Sequence, residues 1–141
     1  MDALHHKHEI THIDQLQEPI NWTDICFYEN LSEGFIRKHH DKVDWNALLE
    51  NHQFSEDMLI EFKDNFDWVD ISCKQSLSEG FIRSFQSDLG WEFIASCQKL
   101  SENFIREFHE KLDWHDIAHY QGLSDDFRIE FKEKLNKHLK I

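Results

Sequence analysis

Apolar residues fall in short bursts along this chain, each opened by a polar residue suited to starting a helix. In the stretch 77–99, Phe81, Ile82, Phe85 and Leu89 mark one face of about three helical turns. The burst opens at Ser78, a good N-cap, and the next residue is Glu79, whose charge favours the amino end of a helix. Leu77 before the serine and Ile82 after it have the spacing of a hydrophobic staple. The same pairing recurs as Leu31 with Ile36, Phe54 with Leu59 and Leu100 with Ile105. A second start follows at once, because Asn21, Asp44, Asp67, Gly90 and Asp113 each precede a tryptophan and are acceptable N-caps. Staples are available there too, from Ile20 to Ile25, Val43 to Leu48, Phe66 to Ile71, Leu89 to Ile94 and Leu112 to Ile117. The pattern therefore predicts two short helices per burst, about ten and about seven or eight residues long, joined by tight turns.

These bursts keep a fixed period. Trp22, Trp45, Trp68, Trp91 and Trp114 lie 23 residues apart, and LSEGFIR stands at both 31–37 and 77–83. Full units run 31–53, 54–76, 77–99 and 100–122, preceded by a degenerate unit at 8–30 and followed by a C-terminal cap at 123–141. Helices this short do not recover their nucleation cost alone. They must stack, which predicts an all-α chain: an α-solenoid of short helix-turn-helix repeats in a single array, with indoles wedged between neighbouring units away from solvent. In the last unit Lys137 stands where tryptophan is expected, and Arg128 and Lys140 occupy the staple positions, so its terminal helix should be more polar. Residues 1–7 carry no period and read as an N-terminal tail, a candidate for disorder.

Composition agrees with helices and narrows the function. One proline and four glycines among 141 residues leave little material for hairpins. A net charge of −13, from 28 acidic against 15 basic side chains, disfavours direct nucleic-acid or anionic-membrane binding and favours a protein partner with a neutral or basic surface. No signal peptide and no apolar run of membrane-spanning length is present, so a soluble intracellular protein is expected. Cys26, Cys73 and Cys97 form no CxxC pair, are odd in number and fall at successive positions of their units; they read as reduced thiols, not as a disulfide framework.

The unit LSENFIREFHEKLDWHDIAHYQG at 100–122 resembles the tandem LSExFIRxFxxxxDWxxIxxxQ repeats of uncharacterised proteins from giant DNA viruses and large phages. The match covers residues 8–141. It implies viral origin and a role in meeting host machinery, and it brings no catalytic residue with it. His39 in place of phenylalanine, Gly90 in place of aspartate and the eroded first copy depart from the pattern.

Sites of chemistry are sparse. No P-loop, HExxH, nucleophile elbow or dinucleotide glycine motif occurs, so an enzyme is not expected and neither is a cofactor. His115 and His119 share a helix face with His109 near, but no spacing supplies a third and fourth zinc ligand, and no metal is expected. His5, His6, His8 and His12 lie in or beside the tail, and the eleven histidines together suggest sensitivity to pH near 6. Arg37, Arg83 and Arg106 follow Glu33, Glu79 and Glu102 by four residues, the favourable order for a helical ion pair. The expected function is a non-enzymatic protein–protein interaction module. Its candidate partner-binding surface comprises Lys38, Glu61, Ser84 and Glu107 at equivalent positions, with the acids Asp64, Asp67, Asp70, Glu110 and Asp113. A competing expectation is an acidic DNA mimic that inhibits a nucleic-acid-binding or nuclease protein. Duplex DNA about 50 Å long, the length expected of the stacked units, carries about 30 charges, against a net 13 here.

Overall fold

The structure, a computed structural model, describes residues 8–139, with side chains to residue 137. The expected tail at 1–7, with His5 and His6, and the staple residue Lys140 lie outside the described residues. The fold is all-α, built of short helix-turn-helix repeats that stack with the 23-residue period, an α-solenoid arrangement. The chain divides into two compact units on either side of the Asp67–Trp68 junction.

The N-terminal unit holds α1 (Trp22–Tyr28), α2 (Glu33–Lys38), α3 (Trp45–Asn51) and α4 (Glu56–Glu61). Its first copy keeps only the tryptophan-led helix. In place of the other helix stand a 3-10 turn at Ile13–Gln15 and a two-residue strand β1 (Glu9–Ile10), which pairs in parallel with β2 (Asn30–Leu31). Ser32 N–H donates to the Ile10 carbonyl at 2.9 Å. Helix α1 lies alongside α3.

The C-terminal unit holds α5 (Trp68–Lys74), α6 (Glu79–Ser84), α7 (Trp91–Cys97), α8 (Glu102–Phe108), α9 (Trp114–Tyr120), α10 (Asp125–Glu130) and α11 (Lys132–Leu139). The tryptophan-led helices follow one another in the stack: α5 against α7, α7 against α9, and α9 against α11. Lys137 and Arg128 are exposed, while Leu135 gives α11 a buried anchor.

The caps sit where the pattern places them. Ser32, Ser55, Ser78, Ser101 and Ser124 each accept from the backbone N–H three residues on, at 3.0–3.2 Å. Asn21 and Asp44 do the same for α1 and α3, and Asp113 accepts from His115 N–H. Gly90 has no capping side chain; instead its own N–H donates to Ser72 Oγ at 2.8 Å. The serine-led helices are six or seven residues long, shorter than the ten expected. After α6 the chain tightens into a turn in which Asp88 N–H donates to the Phe85 carbonyl, so Phe85 and Leu89 keep facing the core without a helical backbone.

Staple residues supply most of the core. Ile36, Leu48, Leu59, Ile71, Ile82, Ile94, Ile105 and Ile117 have no accessible surface, and Phe35, Phe104 and Phe127 join them. Each fully buried side chain of this size contributes about 1.5–3 kcal/mol relative to exposure, which outweighs the weak intrinsic propensity of helices under two turns.

Candidate functional site

The side-chain hydrogen bonds that join one repeat to the next span sequence separations of 18–26 residues. The most buried of these links is a glutamine column. Gln98, at the C-cap of α7 and 6% exposed, accepts from Leu77 N–H at 3.0 Å. Its amide donates to the Ser72 and Gln75 carbonyls at 2.8 and 2.7 Å. Those carbonyls belong to the end of α5, where a helix leaves acceptors without internal partners. Gln121 repeats the arrangement one unit later, accepting from Leu100 N–H and donating to the Ala95 and Gln98 carbonyls. A repeat's glutamine thus caps the preceding repeat's helix. In the N-terminal unit His52 holds this position, with Leu31 N–H donating to its Nε2 at 3.3 Å and its Nδ1 3.2 Å from the Leu48 carbonyl. Burial lowers the His52 pKa, against ring hydrogen bonds to the Leu48 and Glu29 carbonyls that raise it. The glutamines were visible in the sequence as Gln75, Gln98 and Gln121 at the 23-residue step, yet the sequence reading assigned them no role.

The expected pairing within a helix is present at Arg37 with Glu33, but the shorter contacts of the arginines run to the next repeat. Arg37 Nε reaches forward to Glu61 at 2.7 Å, with Glu33 a more distant 3.8 Å. Arg83 pairs with Glu107 through Nε and Nη2 at 2.9–3.3 Å, and Arg106 Nε with Glu130 at 3.0–3.1 Å. The reason lies in the helix-start glutamates. Glu33, Glu79 and Glu102 each take both the N–H and the hydroxyl of the next unit's capping serine, Ser55, Ser101 and Ser124, at 2.6–2.9 Å. Two such bonds occupy the carboxylate, so the guanidinium turns to the next repeat. The Ser124 backbone and then side-chain bonds hold the Glu102 carboxyl below its ordinary pKa.

Aromatic contacts follow the same forward direction. Trp68 lies over Phe81 and Phe85 at 5.9 and 5.2 Å between centroids, Trp91 over Phe104 and Phe108, and Trp114 over Phe127 and Phe131. In the N-terminal unit Trp22 meets Phe35 and His39, and Trp45 meets Phe62 and Phe66. The imidazole of His39 therefore fills the slot that phenylalanine fills elsewhere. The indoles are half-buried, a correction to the expectation that they leave solvent altogether. Lysines lie over three of them: Lys42 on Trp22, Lys111 on Trp91 and Lys134 on Trp114, at 5.3–5.9 Å.

The nine candidate surface residues separate into three groups. Glu61 and Glu107 are spent on the arginine pairs. Asp113 caps α9, and Asp70 lies 3.8 Å from Lys74 on its own helix. Lys38, Asp64, Asp67, Ser84 and Glu110 are exposed.

Two cysteines overturn the reading as reduced thiols. Cys73 on α5 and Cys97 on α7 form a disulfide across Cα atoms 5.1 Å apart. Their offset of one position within the repeat is no obstacle, because a separation of 24 residues falls inside the range over which neighbouring repeats touch. Cys26 is a free, buried thiol whose pKa burial raises. His115 and His119 stack at 4.2 Å, and among the described residues no group of three or more histidine, cysteine or acidic side chains is arranged to hold a metal.

The sequence analysis missed the apolar side chains left outside the stack. Tyr28 and Tyr120, 65% and 63% exposed, occupy the same position of the repeat, 92 residues apart or four periods. Tyr120 edges an open cleft of about 400 Å³ lined also by Ser96, Lys99 and Gly122. Phe27 beside Tyr28 is 39% exposed. Among the described residues no helix is long and apolar enough to cross a membrane. Compared with protein-family models, curated proteins and solved structures, the chain matches none of them.

Proposed function

We propose that this protein is a non-enzymatic protein–protein interaction module that engages its partner through the side chains the repeat frame leaves outward. The observation that carries this reading is the exposure of Tyr28 and Tyr120 at one repeat position. Both rings stand largely in solvent, and tyrosine supplies contact area together with a polar tip. At the same position stand Asn51, which donates to the Glu29 carbonyl, Lys74, and Cys97 of the disulfide, so the position carries different chemistry from unit to unit. The partner is a protein with a neutral or basic surface, since the chain carries a net charge of −13 and acids such as Asp64 and Glu110 are exposed. In the viral setting that the repeat resemblance implies, it is a host protein. The DNA-mimic reading is weaker, because Arg37, Arg83 and Arg106 neutralise Glu61, Glu107 and Glu130 and break any continuous acidic ridge.

The test is affinity capture from host-cell lysate with the wild type and with Tyr28→Ala, Tyr120→Ala and the double variant, followed by binding with the purified partner. The reading expects one dominant protein whose affinity falls at least tenfold in a tyrosine variant, as for a truncated anchor residue. Equal recovery by all four proteins removes it. A partner that is a nuclease, released by moderate salt and indifferent to both tyrosines, favours the mimic instead.

A further inference from the structure

The repeat position that holds glutamine in the C-terminal unit holds His52 in the N-terminal unit, and the exchange changes what the position does when it gains a proton. Glutamine offers Leu77 and Leu100 a carbonyl oxygen that accepts at any ordinary pH. His52 offers Leu31 N–H a ring nitrogen, which accepts only while neutral. With Nδ1–H donating to the Leu48 carbonyl, the neutral tautomer places its lone pair on Nε2, toward Leu31. The Glu29 carbonyl also faces the ring, so a protonated Nε2 has a different group to address. Leu31 belongs to β2, the strand that pairs with Ile10 of β1. We propose that His52 is a pH-operated latch on the N-terminal strand pair: neutral, it holds Leu31 N–H; protonated, it turns Nε2 into a donor toward Glu29 and releases Leu31.

The surroundings favour the neutral form. The ring is part-buried and stacks on Phe54 at 5.8 Å with planes 11° apart. The flanking titratable side chains are Glu50 on α3 and Glu56 at the start of α4; Glu29, at the end of α1, acts on the ring through its backbone, and no charge is among the causes that shift the imidazole. Burial is the largest of those causes and lowers the pKa from 6.5. A neutral-preferring histidine stabilises the fold above its unfolded pKa, and that contribution falls away as pH drops below 6.5 toward the folded value.

Residue-resolved amide hydrogen exchange on the full chain, corrected for intrinsic rates, tests the latch between about pH 7.5 and about pH 5. The opening constant at Leu31 should rise by up to about tenfold per pH unit below 6.5 until the folded pKa is reached. The Leu77 and Leu100 amides, held by glutamine, serve as controls in the same sample and should not respond. In His52→Gln the response at Leu31 should vanish, while His39→Phe should leave it in place. A direct titration of the His52 ring should give a pKa below 6.5. Leu31 tracking the two controls in the wild type, a response surviving His52→Gln, its loss in His39→Phe, or a His52 pKa at or above 6.5 would each overturn the proposal.

Discussion

Truncating Gln98 to alanine is the sharpest probe of how the repeats hold together. The side chain is 6% exposed and makes three hydrogen bonds, to Leu77 N–H and to the Ser72 and Gln75 carbonyls. Leu77 and Ser72 are themselves buried, so removing the amide strands backbone groups that water reaches poorly. At about 1 kcal/mol net for each bond, the loss is about 3 kcal/mol. For a unit the size of residues 68–141 that lowers the melting temperature by roughly 12–24 °C. The proper comparison is Glu107→Ala, which deletes the Arg83 pair. Both partners of that pair are more than 40% exposed, and such pairs contribute only about 0–1 kcal/mol. Urea unfolding followed by circular dichroism and tryptophan fluorescence measures both. A third variant, Gln98→His, keeps an acceptor for Leu77 and should fall between wild type and Gln98→Ala at neutral pH. If Gln98→Ala costs less than Glu107→Ala, the buried column is not what couples the repeats, and the reasoning fails.

Three further substitutions address separate features. His39→Phe places the residue found at Phe62, Phe85, Phe108 and Phe131 against Trp22 and Phe35; burial lowers the His39 pKa from 6.5, so the variant should gain stability progressively over wild type as pH falls below that value. Melting curves at pH 7.5 and 5.5, about one unit either side of the ordinary imidazole pKa, check this, and an unchanged pH dependence contradicts it. Ser101→Ala removes the acceptor of Phe104 N–H and a donor to Glu79 together, and should cost about 1–2 kcal/mol by denaturant titration. Gly90→Ala should stabilise by about 0.4–1 kcal/mol, because Gly90 has an ordinary φ of −82° and an added Cβ meets nothing nearer than Phe93 Cδ2 at 3.4 Å; a drop in melting temperature would show that the neighbouring ring cannot yield.

Capping and staple positions were legible because they obey local rules. Ser78 starts a helix whatever lies beyond it, and Ile82 is buried because its spacing from Leu77 directs it inward. What could not be read locally was the choice of partner across repeats. Glu79 and Arg83 have ideal spacing for pairing with each other, yet each finds a better-placed group in the following unit. Helix-surface rules rank only neighbours on the same helix. The disulfide was missed for a related reason: aligning cysteines by repeat position assumes that contacts occur at 23 residues, whereas Cys73 and Cys97 meet at 24. The half-exposure of the indoles accompanies the same forward register: Trp91, for example, meets Phe104 and Phe108 of the next repeat and has Lys111 over its ring.

This register also separates the frame from the surface. A serine, a glutamate, a glutamine and an aromatic pair in the repeats of the C-terminal unit are committed to a neighbouring copy, so a change at any of them costs stability. Tyr120 is committed to nothing of the kind: it sits one residue before Gln121, on the same helix end, and points outward. Adjacent positions therefore carry opposite duties. Loss of the tyrosine should abolish binding with the melting temperature unmoved, whereas loss of the neighbouring glutamine should lower the melting temperature while leaving the affinity of the folded fraction intact. A repeat built this way can alter what it binds by exchanging outward residues, because the bonds that hold its copies together run through other side chains.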